Sequence, residues 1–188
     1  MGRWEPNARG RLEQAALELY GEYGFDETTV KQITERAGLT ERTFFRHFAD
    51  KREVLFPHTN PLRDLLVDAL TEAPATASAI EAVSLALQAA SGLFEERGEL
   101  ARQRQAVIAA HAELRERELV KLAALTSALT EALRQRGVPG SAARLAAEAG
   151  TAVFKVAFER WVGDPGRQDF SRLVRETFDE LRAVTGGG

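Results

Sequence analysis

The chain has no cysteine and only three histidines, His47, His58 and His111. Without thiols there is no disulfide framework and no thiolate chemistry. Histidines so far apart in sequence offer no zinc-ligand spacing, so neither a metal nor another cofactor is expected. No apolar run approaches the roughly 20 residues that span a bilayer, and the first residues carry no apolar signal stretch. The expected protein is soluble and cytoplasmic, with no membrane partner. Charge of one sign is also lacking. The net charge of −3 argues against a general nucleic-acid coat, and residues 1–52 balance nine Lys/Arg against nine Asp/Glu. Any nucleic-acid contact must use a small local patch. There is no Gly-rich phosphate loop, no nucleophile elbow and no metal motif, and the Glu and Arg residues three and four apart read as helix-surface pairs. An enzyme would need converging acid, base or nucleophile groups, so a non-enzymatic role is expected.

What is present is concentrated in Thr28–Arg52, TTVKQITERAGLTERTFFRHFADKR. Thr29 and Gln32 have the spacing of a capping box, and Val30, Ile33 and Ala37 lie on one helical face. Gly38 ends that pattern and supplies a residue able to take positive φ. Leu39 packs the turn and Thr40 can cap the next helix. There Phe44 and Phe48, four apart, face inward, while Arg42, Thr43, Arg46 and His47 face out. Asp50 and Glu53 repeat the capping-box spacing and predict a further helix carrying Lys51 and Arg52. Thr40–Arg52 holds four basic and two acidic residues. Two helices joined by a glycine turn, the second presenting donors to water, match the helix-turn-helix that enters the major groove. Arg42 and Arg46 are the candidates for bidentate contact with guanine. Thr43 can meet a thymine methyl or a phosphate, and Phe45 can pack on sugar or a thymine methyl.

The helix before the motif, the Gly38-Leu39-Thr40 turn, the string TFFRHF and the Asp50-Lys51 start of the next segment together resemble the TetR family of bacterial transcriptional repressors. The resemblance covers about the first quarter of the chain. The remainder fits in length and helicity. Phe45 stands where tyrosine is usual, so a phosphate-contacting hydroxyl is missing. Arg42 replaces a small residue, and Thr34 stands where alanine is usual. The resemblance implies that Thr29, Lys31, His47 and Lys51 hold phosphate or line the groove edge. It implies a double-stranded DNA operator as partner and a homodimer paired through the last two long helices. It also implies a small apolar effector bound between helices of a second domain, for which Phe94, Ile108, His111, Phe154, Phe158 and Trp161 are the candidate lining residues. The bland alternative for these aromatics is plain core.

Taken in order, Asn7 can cap a first helix whose apolar face carries Leu12, Ala15, Leu19 and Tyr23 and which Gly24 ends. Arg9 and Arg11 in its first turn oppose the helix dipole, which suggests phosphate nearby. Phe56-Pro57-His58-Thr59-Asn60-Pro61 interrupts the pattern. The boundary is placed here: residues 1–56 as the helix-turn-helix domain, 57–188 as the effector-binding and dimerisation domain. Asn60-Pro61 starts a helix to about Glu72. Ser78 and Glu81 start another, expected to stop at Gly98. Further helices are predicted over about Leu100–Leu114, on to Arg136, from Ser141 to Val162, and from Asp169 or Ser171 onward. The wide apolar arcs of the last two need partners on more than one side. The expectation is an all-α repressor with an N-terminal three-helix DNA-binding domain and a C-terminal helical bundle. The contrasting expectation is a helical adaptor that kept the head without specific DNA binding, against which the outward Arg42 and Arg46 argue.

Overall fold

In the computed structural model, residues 8–56, 60–164 and 169–186 are described, apart from the side chains of 95–97. The expected Asn7 cap and the segment Pro57-His58-Thr59 lie outside these residues. Among them the chain forms nine α-helices and no strand: α1 (Ala8–Tyr23), α2 (Val30–Ala37), α3 (Glu41–His47), α4 (Pro61–Glu72), α5 (Ala79–Ala89), α6 (Ser91–Ala110), α7 (Ala112–Gln135), α8 (Gly140–Gly163) and α9 (Phe170–Thr185).

Most boundaries follow from local chemistry. The Thr29–Gln32 and Ser78–Glu81 capping boxes both close reciprocally. Asn60 caps α4 with Pro61 in its first turn, and Asp169 caps α9 through the Ser171 amide. Gly24, Gly38 and Gly137 all take positive φ at helix ends.

Three expectations are corrected. After Asp50 the chain forms successive turns to Phe56, not an α-helix. Asp50 still accepts from the Arg52 and Glu53 amides, but the bonds that follow, such as Leu55 to the Arg52 carbonyl, are a mixture of short turns. Gly98 does not stop a helix: it lies inside α6, and the break falls at Ala90, with the next one at His111. A glycine inside a helix costs about 1 kcal/mol relative to alanine, which flanking turns can absorb. Tyr23 is exposed, and Tyr20 takes the buried place one turn earlier.

The chain divides into two compact units, and the division does not follow the sequence boundary alone. Residues 99–118, the end of α6 and the start of α7, belong with the N-terminal unit. The reason is burial: Val107, Ile108 and Leu114 join Leu12, Ala16, Phe25, Ile33, Phe44 and Phe48 in a single apolar cluster. Helix α1 supplies the centre of that core and α2 and α3 pack across it.

The second unit comprises α4, α5, the remaining parts of α6 and α7, α8 and α9. Leu125, Leu129 and Leu133 of α7 are buried along one stripe, as are Leu173, Val174, Thr177 and Phe178 of α9. A buried Thr126–Thr151 hydroxyl pair at 2.8 Å joins α7 to α8. One hydroxyl donates to the other, which in turn donates to the carbonyl one turn back, Leu122 or Ala147, so neither is left unsatisfied. Arg136, just past α7, donates to the carbonyls of Leu70, Ala73 and Pro74 at 2.8–3.0 Å and so finishes the C-terminus of α4.

Helices α5 and α8 approach closely because position 150 is glycine. A Cβ there would lie 2.3 Å from Val83 Cγ1, and Val83 is a fully buried, short and branched neighbour with little room to move. Gly150→Ala should therefore destabilise the fold by about 1–2 kcal/mol, overpacking outweighing the gain in helix propensity. Gly21→Ala, on open surface in α1, should be neutral or stabilising by up to about 1 kcal/mol. Urea denaturation of both variants checks the contrast; a Gly150→Ala chain as stable as Gly21→Ala would contradict the tight crossing.

Candidate nucleic-acid interface

Helix α3 has seven residues, too few to be helical alone. It is held by both ends and by its inner face. Thr40 is extended and its hydroxyl accepts from the Thr43 amide. The turn before it is made by Gly38 at φ 63°, whose amide and that of Leu39 satisfy the last carbonyls of α2. Phe44 and Phe48 are fully buried with ring centroids 5.4 Å apart. Thr34, the departure on α2, is buried too, and its hydroxyl donates to the Lys31 carbonyl at 2.9 Å.

Burying that face leaves the opposite one outward. Arg42 and Arg46 are exposed and, among the described residues, make no hydrogen bond or ion pair. They lie one turn apart, within about 40° of each other around the helix. Phe45 is 55 % exposed beside them, an unusual position for a large ring. Its edge meets Phe44 at 5.4 Å, which fixes its orientation. Thr43 is half-buried with its hydroxyl 3.1 Å from that of Thr40. On α2, Thr29 is engaged in its cap, while Lys31 is open to solvent and only loosely paired with Glu35 at 3.9 Å.

His47 differs from the expected phosphate-holding cation. Burial, then Arg46 and Arg9, hold its imidazole below the usual histidine range, so it is neutral near pH 7. Its Nε2 is buried without a partner. It therefore presents no charge, and that nitrogen is closed to solvent.

Lys51 is the clearest correction. Its ammonium donates to the carbonyls of Phe25 at 2.7 Å, Asp26 at 2.9 Å and Thr28 at 3.0 Å. All three donors are engaged within the protein, which leaves none for a phosphate. Arg11 is redirected in the same way: it donates to the Ala37 carbonyl and so helps close the C-terminus of α2. Arg9 pairs with Glu13 at 3.0 Å and lies over the Phe48 ring.

Some structural residues of this unit were not foreseen. Arg36 forks onto Glu22 at 2.8–2.9 Å and ties α2 to α1. Arg104 of α6 donates to the Leu55 carbonyl at 2.7 Å and stands over Phe56. Leu55 lies 49 residues from Arg104, a separation that carries no local pattern.

The six effector candidates do not gather in one place. Phe94, Phe154, Phe158 and Trp161 do, joined by Phe170, with ring centroids 4.5–6.3 Å apart in the second unit. Ile108 and His111 belong to the other unit. Ile108 is fully buried in the head core. His111 meets the Phe25 ring edge-on at 5.5 Å and its Nδ1 lies 2.9 Å from the Val107 carbonyl. Helical spacing cannot tell two units apart when one helix contributes to both.

Comparison with known proteins agrees with this arrangement. The family described as bacterial regulatory proteins, tetR family, matches residues 13–56, and the MftR C-terminal domain matches residues 77–186, more than half of the chain. The HTH-type transcriptional regulator TcmR of Streptomyces glaucescens is 39 % identical over 92 residues, which are 49 % of this chain and 40 % of TcmR. The chain thus matches well under half the length of that relative. Among solved structures, the SmeT–triclosan complex superposes with a TM-score of 0.65 at 22 % identity, covering 94 % of this chain and 90 % of that one. NalD of Pseudomonas aeruginosa superposes at 0.63 and 22 % identity, covering 93 % and 94 %. At such identities the structures share the fold. With the head and the C-terminal part both matched by their family descriptions, this chain belongs to the TetR family of bacterial regulatory proteins.

Proposed function

We propose that the chain is a ligand-responsive transcriptional repressor that binds a near-palindromic DNA operator as a homodimer. The observation that carries the reading is the outward face of α3: two unpaired guanidinium groups and an exposed ring on a helix fixed from below by Phe44 and Phe48. A helix so fixed can present Arg42 and Arg46 to guanine edges in the major groove, with Lys31 and the N-terminus of α2 toward phosphate. Thr43 and Phe45 flank the arginines. TcmR is named as a transcriptional regulator, and NalD is described as the secondary repressor of a multidrug efflux pump. These descriptions support the direction of regulation.

The dimer is assigned to α8 and α9. On α8, Leu145 is 71 % exposed, and Ala149, Ala152 and Val156 continue the same stripe at helical spacing. An apolar stripe open to water on a helix whose other face is buried suits pairing with its own copy about a two-fold axis. The effector is assigned to the aromatic cluster of Phe94, Phe154, Phe158 and Trp161, which suits an apolar ligand. SmeT, described as the repressor of a Stenotrophomonas maltophilia multidrug efflux pump, is solved in complex with triclosan, which supports ligand response in this fold. Such a ligand acts by its difference in affinity between two arrangements of the dimer. The cytoplasm, where the DNA is, is the assigned location; among the described residues no helix is long and apolar enough to cross a membrane.

Selection of bound duplexes from a random pool tests the reading and yields the half-site. Arg42→Ala and Arg46→Ala should each weaken binding to the selected duplex by about 1–3 kcal/mol and relax preference at the position contacted. Wild-type affinity in the double variant would refute the groove assignment. Leu145→Asp should shift the chain from dimer to monomer in light scattering while its helical circular dichroism stays unchanged. A variant that remains dimeric would remove α8 from the interface.

A further inference from the structure

Lys51 holds the segment that joins α1 to α2. The carbonyls of Phe25, Asp26 and Thr28 point toward one another, and the Lys51 ammonium sits among them at 2.7–3.0 Å. It also lies 4.6 Å from the centroid of the Phe25 ring. Converging carbonyl dipoles repel, and a single cation with three donors removes that repulsion. Two further bonds complete the knot. The Tyr20 hydroxyl donates to the Lys51 carbonyl at 2.7 Å, and the buried Thr28 hydroxyl donates to the Gly24 carbonyl at 2.7 Å. The Tyr20 bond uses main chain on the Lys51 side, so it survives any change of the Lys51 side chain. The effect of the lysine is thereby confined to residues 25–28.

The residue after this segment is Thr29, the N-cap of α2. The first amides of a helix carry its positive dipole end, and in the DNA reading that end faces phosphate. We infer that Lys51 is a positioning residue for DNA binding: by clamping the three carbonyls of residues 25–28 it sets the direction of the α2 N-terminus, and it does not itself touch phosphate. This rests on the proposed DNA-binding function.

Two readouts test it. In the free protein, hydrogen exchange of Lys51→Met should quicken at amides of residues 25–30 and stay unchanged across 41–48. On the selected duplex, at a temperature where circular dichroism shows the variant fully folded, affinity should drop about tenfold. The slope of log affinity against log salt should match wild type, because no phosphate contact is lost. A slope smaller by about 0.9 in Lys51→Met would show a phosphate contact and overturn the inference. Unchanged exchange at 25–30, or a folded variant with wild-type affinity, overturns it as well. A wild-type chain that retains no duplex is a failure of the DNA reading, visible before any variant is made.

Discussion

A seven-residue helix has no stability of its own, and α3 exists because Phe44 and Phe48 are buried beneath it. The two rings fix the rotation of the helix about its axis. With a side chain every 100°, burying positions 44 and 48 leaves 42, 45 and 46 no direction except outward. The outward arginines are therefore a consequence of the inward phenylalanines. The Gly38 turn sets where the helix begins, and α1 supplies the surface on which the rings rest.

The cations of the N-terminal unit fall into two groups. Arg11, Arg36, Lys51 and Arg104 reach back onto backbone carbonyls or carboxylates of neighbouring segments. Arg42, Arg46 and Lys31 point to solvent. The first group holds short helices and irregular segments that lack enough apolar surface to hold themselves. The second remains for a ligand. In the proposed DNA-binding role, a nearly neutral head would meet a polyanion without a basic surface, because its positive charge is divided by orientation and not by number.

The second unit solves a different problem. Its helices are long and rich in alanine, so they approach closely. Gly150 against Val83 is the extreme case, and the Thr126–Thr151 pair places polar atoms inside without leaving them unsatisfied. One face of α8 is used in this packing. The other carries Leu145 and its neighbours and is left for a second copy in the proposed dimer.

Caps, glycine ends and the inward phenylalanines were legible in the sequence because each depends on residues within one or two turns: Thr29 with Gln32, Thr40 with Thr43, Phe44 with Phe48. Helical periodicity likewise placed the buried leucines of α7. What the sequence could not decide was the destination of long flexible side chains and the partition of long helices. Lys51 and Arg42 look alike in a sequence, yet one meets three carbonyls from residues 23 to 26 positions earlier and the other meets water. Ile108 and Phe94 share α6, yet one completes the head core and the other an aromatic cluster in the second unit. Local pattern reports which face of a helix is apolar; only the folded chain brings distant segments together and so decides what that face, or that charge, will meet.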